Sequence, residues 1–382
     1  MVSSLSVRGI PWLALVATPA LISLRGAQAP RVLDKPEVEL AEPFTNVGSV
    51  RELSDGRVIV VDNGDRAVYA VDFKAGTSTQ ISRPGSGPAE YRTPGLLLPA
   101  AGDTTLLADA GNSRLLVIGP DAEPVAVLTD AWPLPNGRPG TRLPRGIDAK
   151  GRGYFQSATN FGPPPTTGGE IKSPDSLALV RAARGSATDE ALGYVHLAPR
   201  RISTTAKGGQ ITAVEVRIPP FPAQDGWQAF ADGAVAIARS PDYRVDWVLP
   251  DGRRVAGRSI PYTPVRVTER DKQLPAGGGA ARGGAPGSAQ PNKPLELDWP
   301  ELKPPFPSAS VLAGTDGRLW VQRHVSAEDV RTHYDVVDRV GVVAAKIVVP
   351  NGGRIVGFGA KSIYVVRKDA DDLQYLQRFP LH

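Results

Sequence analysis

A pattern of strand, tight turn and strand recurs six times along the chain, and this repeat constrains the fold more than any other feature of the sequence. The clearest copy runs from Ser49 to Phe73 and reads SVREL, SDG, RVIVVD and then AVYAVDF. Runs rich in apolar and β-branched residues on either side of an Asp-Gly pair predict a β-hairpin followed by a third strand. An internal repeat predicts that each copy is one unit of a larger array.

The spacing of the copies identifies the array. The second turn residue lies at positions 56, 103, 151, 233, 317 and 361, so the steps are 47, 48, 82, 84 and 44 residues. Three steps match the roughly 40 to 50 residues of a four-stranded propeller blade, and the two long ones contain no second copy. We therefore predict an all-β fold, a six-bladed β-propeller of four-stranded antiparallel blades with two enlarged blades. A β-sandwich or two smaller β domains are the alternatives, and neither explains six copies in register.

The last copy has only three strands, because the sequence ends at Leu381-His382. Residues 38–44 (VELAEPF) alternate like a strand and precede the first copy with nothing to pair with. If this N-terminal strand completes the last blade, the ring closes and no open sheet edge remains. The chain contains no Cys, so a disulfide cannot close it instead.

The first 29 residues are typical of a secretory signal peptide. An uncharged stretch at 9–24 lies between Arg8 and Arg25, and Ala27-Gln28-Ala29 follows as a cleavage site. A retained membrane anchor is the alternative, although the stretch would span only about 24 Å as a helix against a hydrocarbon core of about 30 Å. We expect an exported protein, periplasmic or extracellular, with the propeller over residues 30–382; under the alternative it is tethered by this segment.

Short motifs follow the second strand of the first two copies. Their residues are Asp62, Asp65 and Arg66 in the first copy and Asp109, Asn112 and Arg114 in the second. Between them, residues 85–91 read GSGPAEY. The motifs resemble those of six-bladed β-propellers of the NHL-repeat type, and GSGPAEY is similar to the G-x-G-P-x-E-aromatic signature of bacterial exported propellers of mostly unassigned function. The resemblance implies that Asp62 and Asp109 brace the turns that follow them.

The residue six positions after each turn residue ends the second strand, and these positions are predicted to share one rim of the ring. They are Asp62, Asp109, Ser157, Arg239, Arg323 and Arg367. Converging arginines can bind carboxylate, phosphate or sulfate groups through paired hydrogen bonds. Arg239, Arg323 and Arg367, together with Asp62 and Asp109, are therefore the candidate ligand-binding residues. The alternative for the three arginines is salt bridges to neighbours, for which the sequence offers Asp242, Asp329 and Asp369.

Three insertions interrupt the repeat, and all are predicted to extend from that same rim. They cover residues 158–174, 199–225 and 263–307. Loops of this length are uncommon unless they are functional or disordered. Residues 276–294, almost wholly Gly, Ala, Pro and small polar residues, are predicted to be disordered. Residues 265–274 predict a short helix, and Trp299 with residues 304–307 predict either a lid over the ring or a tolerated linker.

Signals of catalysis are sparse. No H-E-x-x-H, G-x-S-x-G or phosphate-loop motif occurs, and the absence of Cys excludes thiolate metal sites and cysteine nucleophiles. His324, next to Arg323, is a weak candidate for a general base. The cluster Asp369, Asp371 and Asp372 is a weak candidate for Ca²⁺, with a solvated hairpin turn as the alternative.

These observations favour a binding protein. The formal net charge of +5 comes without the dense basic stripe of a nucleic-acid-binding protein. We expect a monomeric, non-catalytic propeller that needs no cofactor and binds a protein, peptide or glycan at the insertion-bearing face. The alternative is a metal-dependent lactonase, hydrolase or lyase of the six-bladed propeller type, which would require several converging ligands where the sequence offers Asp62 and Asp109. A tethered envelope component is a third hypothesis.

Overall fold

The computed structural model describes residues 29–134, 139–157, 168–208, 210–273, 280–284, 297–307 and 310–381. Apart from Ala29, the predicted signal peptide lies outside the described residues. The described chain is all-β apart from short helical turns, and it contains several four-stranded antiparallel sheets, which is consistent with a β-propeller. No described helix is long and apolar enough to cross a membrane.

The first two copies of the repeat form two regular sheets. Two short strands precede them, β1 (Arg31–Val32) and β2 (Val38–Glu39). Sheet 1 contains β3 (Val47–Glu52), β4 (Val58–Asp62), β5 (Ala67–Asp72) and β6 (Thr77–Gln80). Sheet 2 contains β7 (Pro94–Pro99), β8 (Thr105–Asp109), β9 (Arg114–Ile118) and β10 (Pro124–Leu128). In both sheets the strands pair antiparallel in chain order, as the repeat predicts.

The third and fourth copies form sheets 3 and 4, with added strands between them. The strands run β11 (Gly146–Ile147), β12 (Gly153–Gln156), β13 (Gly169–Ile171), β14 (Ser176–Ala182), β15 (Glu190–His196), β16 (Arg201–Lys207) and β17 (Gln210–Arg217). They continue with β18 (Gly226–Ala229), β19 (Val235–Arg239), β20 (Arg244–Val248) and β21 (Arg254–Val255). Sheet 3 has the order β11-β12-β14-β15, and sheet 4 has the order β18-β19-β20-β21.

The third insertion precedes the last two copies. It contains β22 (Val265–Arg266), α1 (Glu269–Gln273), β23 (Ala280–Gly284) and β24 (Leu302–Lys303). The fifth copy contributes β25 (Val311–Ala313), β26 (Leu319–Arg323), β27 (Thr332–Val337) and β28 (Val343–Val349) to sheet 5. The sixth contributes β29 (Arg354–Phe358), β30 (Ser362–Lys368) and β31 (Gln374–Pro380) to sheet 6. The helix α1 confirms the short helix predicted within 265–274.

The N-terminal segment pairs with the two C-terminal sheets. Strand β2 lies antiparallel to β31, with Val38 opposite Arg378, and gives sheet 6 its fourth strand. A further bridge joins Phe44 to Gln374. Strand β1 lies parallel to β28 and adds a fifth strand to sheet 5. The ends of the chain are therefore held side by side by backbone hydrogen bonds.

The hydrophobic core lies between the sheets. Second strands such as β4 (VIVVD) and β8 (TLLAD) are buried along their whole length, which is typical of strands covered on both faces. Six core clusters each join two sheets, in the pairs 1 with 2, 2 with 3, 3 with 4, 4 with 5, 5 with 6, and 6 with 1. Each fully buried Val, Leu or Ile side chain stabilises the fold by about 1.5 to 3 kcal/mol.

Strands from all three insertions form one additional sheet, which we call the insertion sheet. Its order is β13-β16-β17-β23, and all its strands are antiparallel. Of residues 276–294, predicted to be disordered, the structure describes only Ala280–Gly284, which pair with β17; the others lie outside the described residues. The sequence places the insertions on one rim, and the structure adds that they pair with one another.

Candidate functional site

Asp62 is a fully buried carboxylate that holds the turn after β4. Its Oδ1 accepts hydrogen bonds from the backbone N–H groups of Asn46 at 2.9 Å and Gly64 at 2.8 Å, and its Oδ2 accepts one from Thr45 at 2.7 Å. An ionised carboxylate with this many donors needs no further partner. These contacts support the bracing role that the family resemblance implies for this residue.

Asp109 holds the equivalent position of sheet 2 and is also fully buried. Its Oδ1 accepts from the backbone N–H groups of Arg92 and Thr93, both at 3.0 Å, and the Asn112 side chain donates to Oδ2 at 2.6 Å. Arg114 Nε lies 3.5 Å from Oδ2. The carboxylate therefore connects the end of β8 to the loop that enters sheet 2.

Arg114 connects this carboxylate to the GSGPAEY segment. Its guanidinium donates to the backbone carbonyls of Ser86 at 3.2 Å, Gly87 at 2.6 Å and Glu90 at 2.9 Å. The Glu90 carboxylate folds back onto the backbone N–H of Gly87 at 2.8 Å. A Cβ at Gly85 would lie 2.1 Å from Glu90 Oε2, so this glycine permits the close approach. The signature segment is thus a braced connection between sheets 1 and 2.

The three candidate rim arginines each lie in a separate ion-paired cluster. Arg239 donates to Asp225 and Asp246, both at 2.8 Å. Arg323 donates to Asp335 at 2.7 Å, and its guanidinium carbon lies 4.4 Å from the Tyr243 ring centroid. Arg367 donates to Glu39 of β2 at 2.8 Å and lies over the Tyr375 ring. No two of these arginines share a partner among the described residues. Their predicted contact with a ligand stays a prediction.

The three arginines form salt bridges, as the alternative reading expected, but with carboxylates other than Asp242, Asp329 and Asp369. Asp242 pairs with Arg244, and Asp329 pairs with Arg331 at 2.7 Å and with His333 at 3.0 Å. Asp369 accepts from the backbone N–H groups of Asp371 at 2.9 Å and Leu373 at 3.0 Å. The partners of these three aspartates lie only two or four positions after them in the chain, so each carboxylate is paired within its own turn. Ser157, the remaining rim position, accepts from the backbone N–H of Ala178 at 3.1 Å.

Lys303 and Asp271 form a buried ion pair within the third insertion, and Lys303 also contacts the segment that follows β26 of sheet 5. Lys303 Nζ lies 2.6 Å from Asp271 Oδ1, and the two side chains are 4% and 3% exposed. The ammonium group also donates to the Val325 carbonyl at 2.9 Å and lies 5.1 Å from the Phe221 ring centroid. We call Lys303, Asp271, Val325, Phe221 and His324 the anchor cluster. Phe306 of the same insertion is fully buried in the core between sheets 4 and 5. The choice between a lid and a tolerated linker for this flank stays open.

His324 lies within the anchor cluster. Its Nδ1 donates to the Pro304 carbonyl at 2.7 Å, and its ring meets the Phe221 ring edge-on at 5.3 Å. Burial lowers the pKa of His324 to about 4, and the nearby positive charges of Lys303 and Arg323 act in the same direction. The imidazole is therefore neutral at pH 7 with its proton on Nδ1. The general-base role predicted for it stays a prediction.

A cleft of about 340 Å³ opens beside the insertion sheet, and we call it the insertion cleft. It is lined by Glu170, Pro199, Arg200, Arg201, Arg217, Ile218, Pro219, Leu297 and Asp298. Every one of these residues belongs to an insertion: Glu170 to the first, residues 199–219 to the second, and residues 297–298 to the third. Sequence reasoning treated these segments as loops and missed the cleft. The apolar alternation from 201 to 217 around Gly208 was the available signal for the hairpin.

Three guanidinium groups and two carboxylates line the insertion cleft. Arg201 lies 3.8 Å from Glu170 in a largely exposed pair, and Arg217 pairs with Glu215. Arg200 differs from both, because its Nε is buried and its side chain makes no hydrogen bond or ion pair with any residue that the structure describes. A buried donor without an acceptor costs about 1 to 3 kcal/mol, and more when it is charged. An anion placed in this cleft would supply the missing acceptor.

The described part of the chain contains no cluster of side chains that could bind a metal ion. No group of three or more His, Asp or Glu side chains there is arranged to hold a metal ion. In the segment that contained the calcium candidate, Asp372 lies 3.1 Å from Lys368, and the Asp369 carboxylate caps a hairpin turn.

Comparisons with known proteins bear on the fold of this chain and not on its function. No protein-family model and no curated protein matches the chain. A predicted exported protein from Bacteroides fragilis covers 92% of this chain and 99% of its own, at 12% identity and a TM-score of 0.47. A predicted gluconolactonase covers 90% and 91%, at 13% identity and a TM-score of 0.41. Virginiamycin B lyase from Staphylococcus aureus covers 90% and 87%, at 10% identity and a TM-score of 0.34. These are propeller-type proteins, and at such scores nothing of their functions is transferred to this chain.

Proposed function

We propose that the chain is a six-bladed β-propeller of the NHL-like type, closed by β2, and that it is exported and binds an acidic group of a protein, peptide or glycan in the insertion cleft. Six sheets follow one strand order, and their core clusters connect each sheet to the next, including sheet 6 to sheet 1. Strand β3 also lies beside both β7 and β29. These contacts support a ring in which β2 completes the sixth blade.

Deletion of residues 36–45 tests the closure. It removes β2 and Phe44, and we expect the Tm to fall by several degrees or the cooperative transition to disappear, because β31 is left as an open edge. Deletion of residues 30–32 is the control, since it removes β1, which adds a fifth strand to sheet 5 and one hydrogen bond from Arg31 to the Pro380 carbonyl, and leaves β2 paired with β31. Differential scanning calorimetry measures both. An unchanged transition after the first deletion would refute the closure.

One observation carries the binding proposal: all three insertions contribute to the insertion cleft, and the cleft contains the unpartnered guanidinium of Arg200. The rim arginines Arg239, Arg323 and Arg367 already donate to carboxylates of the protein. Arg200 has no such acceptor in the described chain. A carboxylate or sulfate group in the cleft would satisfy it and would also attract Arg201 and Arg217.

The test uses two acidic probes, a hexaglutamate peptide and a sulfated hexasaccharide, in isothermal titration calorimetry. Replacing Arg200 and Arg217 by Gln is expected to weaken binding of at least one probe by about tenfold or more, since one charge-assisted hydrogen bond contributes about 1.5 kcal/mol. The matched control replaces Arg92 and Arg258 by Gln, two exposed arginines outside the cleft, and removes the same charge. Equal affinities for the two variants would contradict the proposal.

The rim arginines are tested separately. In the triple variant with Arg239, Arg323 and Arg367 replaced by Ala, a loss of probe affinity in a protein that remains folded would support the ligand contact predicted for them. Unchanged affinity would leave the ion pairs with Asp225, Asp335 and Glu39 as their role. Elemental analysis of the purified protein is a companion measurement, because a stoichiometric divalent ion would instead favour the metal-dependent enzyme.

A further inference from the structure

A second pocket lies at the opposite end of sheet 3 from the insertions. It has a volume of about 390 Å³ and lies between sheets 2 and 3, beside the turn that joins β11 to β12. The first insertion follows the other end of β12, so the two sites are separated by the length of that strand. We call this the seam pocket. It shares no lining residue with the insertion cleft.

The alignment of the repeat copies explains why a cavity remains at this seam, the boundary between sheets 2 and 3. Between sheets 1 and 2, the carboxylate of Asp103 accepts from Arg51 at 2.9 Å and from the backbone N–H and hydroxyl of Ser54, both at 2.8 Å. One copy later, the positions of Ser54 and Asp103 are occupied by Ala101 and Gly151. Both line the seam pocket. The polar side chains that fill the first seam are therefore absent from the second, and a cavity stands in their place.

The walls of the seam pocket are mostly apolar. Leu106 and Leu128 come from sheet 2, Ile147 comes from the first strand of sheet 3, and Trp132 follows sheet 2. The Trp132 indole N–H is already satisfied by the Ala182 carbonyl at 3.1 Å. A cavity of this size with apolar walls and few polar groups is suited to a small organic molecule.

Two charged residues, Asp148 and Arg184, line the seam pocket, and they differ in whether the protein supplies a hydrogen-bonding partner for the side chain. Asp148 accepts from the Arg152 guanidinium at 2.6 Å and from the Tyr154 hydroxyl at 2.8 Å, so its carboxylate is already paired. Arg184, in the turn between β14 and β15, is exposed and makes no hydrogen bond or ion pair within the described ranges. A ligand could therefore make apolar contacts inside the pocket and place a negatively charged group beside Arg184.

We propose that the seam pocket is a second binding site, for a small molecule with an aromatic or aliphatic body and one carboxylate. The body lies against Trp132, Leu106 and Ile147, and the carboxylate accepts paired hydrogen bonds from Arg184. This site is independent of the insertion cleft, and its occupant is a small molecule and not a polymer.

The experiment uses 2-naphthoate as the probe and its neutral counterpart 2-naphthalenemethanol, with binding measured by ligand-observed NMR on the full chain. We expect the wild type to bind naphthoate more tightly than the alcohol. Arg184→Gln is expected to reduce naphthoate affinity by about tenfold and to remove the preference, since a charge-assisted hydrogen bond is lost. Arg92→Gln, which removes an exposed arginine elsewhere, is expected to leave both unchanged.

A second variant restores the contact of the first seam. Ala101→Ser with Gly151→Asp rebuilds the Ser54–Asp103 arrangement, and Asp103 itself has a φ of 58°, so Asp is compatible with the φ of 73° at Gly151. No atom lies within 4 Å of a Cβ at Gly151. We expect this variant to fold and to lose naphthoate binding. The Arg200→Gln and Arg217→Gln variant of the insertion cleft is expected to retain it. Undetectable binding to the wild type, or unchanged binding to the refilled seam, would overturn the proposal.

Discussion

Two arginines in different regions of the molecule show how the same side chain serves two purposes. Arg114, in the connection between sheets 1 and 2, donates to three backbone carbonyls and lies beside the buried carboxylate of Asp109. Arg200, in the insertion cleft, has a buried Nε and no acceptor from any described residue. The two terminal nitrogens of the Arg114 guanidinium have acceptors in the protein, whereas the Arg200 side chain has none among the described residues.

Loose attachment of the insertions does not explain why Arg200 lacks an acceptor in the described part of the chain. Hydrogen bonds from Lys303 to the Val325 carbonyl and from His324 to the Pro304 carbonyl join the third insertion to the segment after β26, and four antiparallel strands connect the three insertions. An unpaired guanidinium on a firmly held surface is preorganised for an anion, since little conformational entropy remains to be lost on binding. The connection between sheets 1 and 2 thus differs from the insertion cleft in how far the protein itself supplies partners for the arginine side chains.

The largest effect is expected where the braced region is broken. Arg114→Met leaves the Asp109 carboxylate buried without its cation and removes a donor from three carbonyls, so the free energy of unfolding should fall by about 3 to 5 kcal/mol. Urea denaturation measures the loss. Arg200→Met is the matched control, and it should leave stability unchanged or raise it by about 1 to 3 kcal/mol, because it removes a buried donor without an acceptor and no hydrogen bond or ion pair to a described residue. Equal losses at the two positions would invalidate the comparison.

A somewhat smaller effect is expected at the anchor cluster. Lys303→Met leaves Asp271 buried and unpaired, and the free energy of unfolding should fall by about 3 kcal/mol. Adding Asp271→Leu should restore part of the loss, because no unpaired charge remains buried, although the hydrogen bonds that Asp271 accepts from the backbone N–H and hydroxyl of Thr268 are lost as well. Lys272→Met, which removes an exposed pair with Glu269, should cost less than about 0.5 kcal/mol. Failure of the double variant to recover would assign Asp271 a role beyond this pair.

The smallest effect concerns pH and again tests the anchor cluster. The pKa of His324 is about 4 in the folded protein, against about 6.5 in an unfolded chain, because burial disfavours the imidazolium; Lys303 and Arg323 also lower it, whereas the Pro304 carbonyl and Asp271 act oppositely. The unfolded chain therefore takes up the proton first as the pH falls. Stability attributable to this group is fully present above pH 6.5 and is lost as the pH falls towards 4.

We expect this loss to amount to about 2 kcal/mol for the wild type and to be absent in His324→Phe, which keeps an aromatic ring against Phe221. Denaturant midpoints measured at pH 7, 6, 5 and 4 provide the comparison. His196→Gln, at an exposed histidine, is the control and should follow the wild type. Identical pH profiles for the wild type and His324→Phe would contradict the neutral state inferred for this histidine.

Much of the strand order could be read from the sequence, and less of the candidate site. The apolar, β-branched run at residues 58–61 and the Asp-Gly turn before it identify a hairpin locally, and the same reasoning applied at each copy predicts the strands of sheets 1 to 6. The pairing of residues 38–39 with β31 followed from counting strands. The insertion sheet was missed because β13, β16 and β23 come from three separate segments, and local periodicity contains no information on which segments meet.

The site residues show the same limit more sharply. The position of Arg239 at the end of a second strand could be predicted from the register, but its partner Asp225 reaches it from the end of an insertion. The Arg200 side chain was not singled out at all, because an arginine in a polar segment is ordinary in sequence. Its importance depends on which acceptors the folded chain brings near it.

The sequence by itself determined the repeat, the turns and the strand that pairs the two ends of the chain, because strand periodicity and Asp-Gly turns act over a few neighbouring residues. Only the tertiary structure decided which charges are satisfied and which are left open. That outcome depends on carbonyls and carboxylates from segments distant in the chain: Arg114 meets Ser86 and Gly87, whereas Arg200 meets no acceptor in the described residues. Hydrogen bonds form between groups that lie within about 3 Å, and sequence separation does not predict that distance.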